Sequence, residues 1–202
     1  MYEDPASALS QRLDAVVSLL RNYLDNALAG KIMVLSLCSG EARDLRDAAA
    51  GHPRASDLVG RVIESDPVLS ARATERLAAV APHVESRCAD ATDPREFADL
   101  LPVDVLLLCG IFGNISDDDI QATIAAIPEL CRSGACVIWT RHRRAPDLTP
   151  SVRTWFDAAG CVSTGLVSAG VGGFAVGAER FAGTPMRMSR SEPLFTFRDD
   201  LW

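Results

Sequence analysis

Ile32-Met33-Val34-Leu35-Ser36-Leu37, followed at once by Cys38-Ser39-Gly40-Glu41-Ala42-Arg43-Asp44, is the stretch on which the fold turns. The first six residues are an apolar run too short for a helix and suited to a strand buried on both faces. Small residues then break the run, and a helix follows. A buried strand that feeds a tight loop and then a helix is the opening unit of a parallel α/β sheet.

The same alternation continues outward. Upstream, Leu9, Leu13, Val16, Val17, Leu20, Leu24 and Leu28 recur at three- and four-residue steps and place one apolar face on a helix that stops at Gly30. Downstream, Arg61 to Ser65 reads as a strand, and Asp66-Pro67 supplies an N-cap and an N1 proline for a helix carrying Leu69, Ala73, Leu77 and Val80. Val84 to Ala89 is a third strand, and Asp93-Pro94 opens a short helix through Leu101. Asp104 to Cys109 is the most apolar run and is expected at the sheet centre. Ser116 caps the next helix, whose first turn holds Asp117, Asp118 and Asp119, where the macrodipole favours negative charge. Ala135 to Thr140 is a fifth strand, and a helix from Thr149-Pro150 ends near Gly160. Cys161 to Ser168 and Phe174 to Phe181 are the last strands. They are joined by too few residues for a parallel crossover, so the final strand should run antiparallel. The expectation is an α/β chain with a mostly parallel seven-stranded sheet and helices on both faces. Residues 1–30 form an N-terminal helix, 31–182 the main domain and 183–202 a tail that is either a packed arm or a disordered end.

Composition narrows the function. The chain has 202 residues, 48% apolar and 23% charged, with 20 Lys and Arg against 27 Asp and Glu. A length near that of one domain buries roughly 70% of the unfolded surface and needs no staple. A net charge of −7 argues against nucleic acid, which is bound through clustered cations. The one basic cluster, Arg141-His142-Arg143-Arg144, is too short for a duplex footprint. The N-terminus lacks the basic-then-apolar order of a signal peptide, and the run from Val105 to Phe112 is far short of a membrane span. Six cysteines without a C-x-x-C pair read as reduced, mostly buried thiols, so a cytoplasmic protein without a metal is expected.

Ligands of open parallel sheets bind beyond the carboxyl ends of the strands. The residues there are Cys38, Ser39, Gly40, Arg43 and Asp44 after the first strand, Asp66 after the second, Asp90 and Ala91 after the third, and Cys109, Gly110, Ile111 and Asn114 after the fourth. In this order and spacing the chain resembles class I S-adenosylmethionine-dependent methyltransferases. It is similar in particular to short actinobacterial proteins of that kind, through Leu37 to Leu45, Leu108 to Ile115 and Trp139 to Pro150. The resemblance implies a Rossmann-like methyltransferase fold and S-adenosyl-L-methionine as cofactor. It places Gly40 beside the methionine part, Asp66 on the ribose hydroxyls, Asp90 and Ala91 at the adenine edge, and Gly110 with its neighbours beneath the sulfonium. The wider family has an acid at Ser36 and glycines at Cys38 and Ala42. Those departures leave the amino-acid moiety to Arg43 or Asp44.

Each assignment has a plainer competitor: Gly40 as a turn glycine, Asp66 as a helix cap, Asp90 as a loop acid, Asp117 to Asp119 as a solvated helix start. For catalysis, His142 follows the fifth strand and has a suitable unperturbed pKa, against the reading of a surface histidine among arginines. Asn114 is a candidate to face substrate, and Arg141 and Arg143 either hold an anionic acceptor or pair with Asp147. Tyr2 and the first helix are candidates for a cover. The expected activity is methyl transfer to an O, N or C atom of a small molecule, by a monomer or homodimer without nucleic acid or membrane partners. The alternatives are a cofactor-binding scaffold, a cyclase or isomerase, and a nicotinamide dehydrogenase. The last is disfavoured because Gly40-x-x-Arg43 does not complete G-x-G-x-x-G.

Overall fold

The computed structural model describes residues 7–170 and 173–198. Tyr2 and Trp202 lie outside the described residues. Seven strands form one sheet: β1 (Ile32–Leu37), β2 (Leu58–Glu64), β3 (Val84–Cys88), β4 (Val103–Leu108), β5 (Cys131–His142), β6 (Cys161–Ser168) and β7 (Phe174–Phe181). Their order is β3-β2-β1-β4-β5-β7-β6. Pairing is parallel from β3 through β5, and β7 runs antiparallel to both β5 and β6.

Period-two burial divides the central strands between two helical layers. Val34 of β1 and Val105 and Leu107 of β4 join the core formed with α1 (Ala8–Asn26), α2 (Arg43–Ala49) and α3 (Pro67–Ala78). Leu35, Leu37, Leu106 and Leu108 join the opposite core with α4 (Asp117–Ala125), α5 (Ile127–Leu130) and α6 (Thr149–Ala158). Ser7 caps α1, Asp66 caps α3 and Ser116 caps α4, each accepting a backbone N–H of the first turn. On the α6 side, Trp139 stacks on Phe156 with ring centroids 5.9 Å apart. Gly177 lies opposite Trp139 in the β5–β7 register, and a Cβ there would fall 2.3 Å from the indole.

Four sequence expectations change. Leu28 lies beyond the end of α1 and is 90% exposed, so it is not part of the buried stripe. The helix expected from Asp93 through Leu101 is two separate 3₁₀ turns, 94–96 and 98–100. β2 ends one residue early, at Glu64. β5 begins at Cys131, which pairs with Val103; residues 132–134 lie in the irregularity before pairing resumes at Cys136 opposite Val105. The alternatives left open for the tail resolve toward a packed arm over its described part. The Leu194 N–H donates to the Thr92 carbonyl at 2.8 Å, the Arg198 N–H donates to the Asn114 carbonyl at 3.0 Å, and Leu194 and Phe195 are buried.

Candidate functional site

The strand order reverses between β1 and β4, which opens a crevice beyond their carboxyl ends. The loops after these two strands meet there and separate two cavities. The larger, about 340 Å³, lies between residues 38–44 and the first helix, with Arg12, Leu13, Val16, Leu69, Cys109 and Thr140 on its walls. The second, about 320 Å³, is walled by Glu64, Ser65, Asp90, Ala91, Asn114 and Phe197. Cys38 and Gly110 line both, so the cavities adjoin at that waist.

Within the first loop, three residues have left-handed backbone: Cys38 (φ 54°), Gly40 (φ 55°) and Ala42 (φ 51°). The conformation that glycine would supply is therefore kept at two positions where the sequence has none. Each costs about 1–2 kcal/mol for an L-residue. At Ala42 that strain roughly offsets the loss of a fully buried methyl on replacement by glycine. Ala42→Gly is therefore expected to shift stability by less than about 0.5 kcal/mol. Ala48→Gly, equally buried but helical, should cost about 1.5–2 kcal/mol. Urea midpoints of the two variants check the contrast.

Glu64 ends β2 and braces this loop. One carboxylate oxygen accepts the Gly40 N–H at 2.8 Å, and the other accepts the Asp66 N–H at 3.0 Å. Asp66 itself is exposed, and its Oδ1 accepts the N–H groups of Val68 and Leu69. The cap read for Asp66 is present; Asp66 lines neither cavity, and Glu64, two residues earlier, stands on the cavity wall. Asp90 and Ala91 stand beside Glu64 as expected for strand-end residues, and the Asp90 carboxylate accepts the Thr92 N–H at 2.9 Å.

Asp44 is 8% exposed at the start of α2 and lines the larger cavity. Burial raises its carboxyl pKa, partly offset by the Leu45 N–H at 2.8 Å and by the Cys109 thiol. Cys109 is pushed well up by burial and by the Asp44 charge, and Cys38 rises to about 12 through burial, Glu64 and Asp90. Both thiols are protonated and poor nucleophiles at neutral pH. Ser39 presents a buried Oγ without a hydrogen-bond partner at the same cavity. Arg43 lines the cavity and pairs with Glu41 at 2.6 Å; Glu41 also holds Arg72 and Arg76, fastening the loop to α3. The Gly110 N–H donates to Thr140 Oγ1 at 2.8 Å, and Asn114 Nδ2 donates to the Gly110 carbonyl at 2.6 Å. Ile111 is fully buried in the core and lines neither cavity.

The catalytic candidates separate. Asn114 is on a cavity wall, whereas His142 and Arg141 are on neither. Arg141 is 8% exposed, donates to the Phe112 carbonyl and lies 3.9 Å from Asp117, so it anchors the loop after β4. Arg143 is held by Asp147 at 2.8 Å and by the Ala169 carbonyl. Arg141 and Arg143 are thus committed to internal contacts, the second through the Asp147 pairing that was one of its two expected roles. Burial, then Arg141 and Arg144, lower the His142 pKa, and its Nδ1 accepts the Arg144 N–H at 3.4 Å. Arg12, Thr140, Glu64 and Phe197 carried no signal of their own in the sequence. Their place at the site comes from contacts between distant segments. Among the described residues no group of three His, Cys, Asp or Glu is arranged to hold a metal, and no helix is long and apolar enough to cross a membrane.

No family model matches the sequence, and no curated protein matches it. Solved structures do. An O-methyltransferase family protein from Burkholderia thailandensis superimposes with a TM-score of 0.59 at 18% identity, over 89% of this chain and 61% of that one. This chain therefore spans less than two thirds of that protein. Magnesium protoporphyrin IX methyltransferase from Synechocystis PCC 6803, with bound S-adenosylhomocysteine, gives 0.64 at 12% identity, over 90% of each chain. Fibrillarin from Aeropyrum pernix, with natively bound S-adenosyl-L-methionine, gives 0.57 at 12% identity, over 80% of this chain and 74% of that one. The fold is that of the Rossmann-like methyltransferases.

Proposed function

We propose that this chain binds S-adenosyl-L-methionine across the two joined cavities and transfers its methyl group to a small molecule. The observation that carries the reading is the waist at Cys38 and Gly110, with two strand-end acids on one side and a buried acid and an arginine on the other. The donor set matches the two polar ends of that ligand. Glu64 offers two carboxylate oxygens to a ribose diol, and Asp90 with Ala91 offers the adenine edge. Asp44 and the unpartnered Ser39 Oγ suit an ammonium, and Arg12 suits a carboxylate. When bound, the cofactor supplies an activated methyl group.

The chain's own contribution is positioning. In-line methyl transfer gains most from holding donor and acceptor in register, and a base is needed only when the acceptor must lose a proton. No histidine lines either cavity, and the thiols there are protonated. That favours acceptors which bring their own nucleophile, such as a neutral amine, a phenolate or an activated carbon. Leu9, Leu13, Val16 and Leu69 give the larger cavity an apolar side suited to a small, partly apolar acceptor. The solved structures of this fold include fibrillarin, yet the net charge of −7 and the internally committed Arg141 and Arg143 speak for a small molecule. Six free cysteines fit a cytoplasmic protein, which we read as a monomer or homodimer.

Isothermal titration of the protein with S-adenosylhomocysteine tests the reading. One-to-one binding in the micromolar range is expected, and its absence sinks the assignment. Formation of S-adenosylhomocysteine from S-adenosyl-L-methionine with an added acceptor separates transfer from binding alone.

A further inference from the structure

The second cavity is closed by a part of the chain that does not belong to the sheet. Residues 194–198 run from the Thr92 carbonyl, held by the Leu194 N–H, to the Asn114 carbonyl, held by the Arg198 N–H. Between them Phe197 forms an isolated antiparallel bridge with Ile115, and Phe195 meets Phe197 edge to face with centroids 5.5 Å apart. The arm is thus tied at one end to the loop after β3 and at the other to the loop after β4. Both loops supply walls of this cavity, through Asp90 and Ala91 on one side and Gly110 and Asn114 on the other. Phe197 is only partly buried although its neighbour Phe195 is fully so, and among the described residues it is the one aromatic on the cavity wall.

We infer that the C-terminal arm is a working part of the ligand site: Phe197 supplies the ring against which a planar heteroaromatic base lies, and occupancy of the cavity and docking of the arm stabilise one another. This rests on the proposed reading of the cavity as the nucleoside end. The physical basis is that an aromatic face stacks on any base, while the acids opposite fix its sugar and edge. A ligand that touches both the arm and the two loops favours the docked state by mass action.

The test compares wild type, Phe197→Leu and Phe197→Tyr by titration with S-adenosylhomocysteine, with hydrogen exchange of residues 193–198 followed with and without that ligand. Leucine keeps the backbone bridge and apolar volume but removes the ring; tyrosine restores the ring. The expected result is affinity about tenfold weaker for Phe197→Leu, within about twofold of wild type for Phe197→Tyr, and exchange in the arm slowed by the ligand in wild type. Unchanged midpoints of thermal unfolding show that the variants are folded. If wild type binds and Phe197→Leu binds equally well, the inference is overturned while the cofactor reading stands. Exchange that the ligand leaves unchanged overturns the coupling. If wild type itself does not bind, the reading of the cavity fails and takes this inference with it.

Discussion

Glu64→Gln is expected to lower affinity for S-adenosylhomocysteine by about 100-fold, and Asp66→Ala to leave it within about threefold of wild type. Glu64 is the residue at which loop geometry and ligand chemistry coincide. Its carboxylate already accepts the N–H groups of Gly40 and Asp66. Each oxygen retains a further lone pair for a ribose hydroxyl. Glutamine turns one of those acceptors into a donor aimed at an N–H or a hydroxyl. At about 1.5–3 kcal/mol for each hydrogen bond to a charged group, loss of one bond and misdirection of another gives the stated factor. Asp66→Ala instead removes a helix cap and costs about 1 kcal/mol of stability. Titration and thermal unfolding of both variants decide the matter: equal binding by Glu64→Gln and wild type removes Glu64 from the site.

Asp44→Asn has opposite effects on stability and on binding. The sign follows from its pKa. Burial holds the folded-state carboxyl above its unfolded value, so the native state takes up the proton more readily than the unfolded chain. Stability is therefore highest below the unfolded value of about 3.9 and falls as pH rises toward and through the raised folded value. Asparagine keeps the oxygen that accepts the Leu45 N–H at 2.8 Å and removes the buried charge. The variant should melt a few degrees above wild type at neutral pH and lose the pH-dependent slope on the acid side. Its affinity for S-adenosylhomocysteine should fall about 10- to 100-fold, because the ammonium group loses its anionic partner. Thermal midpoints from pH 4 to 8 and titrations at pH 7.5 read the two effects separately. A variant that binds as wild type does removes Asp44 from the ligand's partners.

Local chemistry made most of the scaffold legible. The apolar runs at 32–37 and 104–109 could only be buried strands, and Asp66-Pro67 and Ser116 carried helix starts that the structure reproduces. The differences have local causes. The strand-end position offers Asp66 as the acid after β2, and the cap read there is present; β2 stops at Glu64, and that side chain and Ser65 stand on the cavity wall. The fifth strand reads only from Ala135 because the polar and glycine residues 132–134 before it form an irregularity that carries no strand pattern. The rest of the site depends on contacts between segments far apart in the chain. Arg12 reads as one polar residue on an amphipathic helix, and Phe197 as an isolated aromatic in a tail; neither has a periodic neighbour that announces its role. Arg141 was visible as a charge, but its carbonyl partner at Phe112 was not.

The waist between the cavities makes the site bivalent. A molecule with one head in each chamber and a slender connection past Cys38 and Gly110 pays the entropy of association once and collects both sets of contacts. Separated halves, a nucleoside and an α-amino acid, each pay it in full, so each binds weakly alone and neither displaces the other. The linked molecule exceeds the product of the two halves by its effective concentration, and cutting the link during turnover would forfeit that gain. Methyl transfer leaves the link intact. On the proposed reading the product, which has lost the methyl group and with it the sulfonium charge, is expected to keep the avidity of the reactant and to compete with the next molecule of donor.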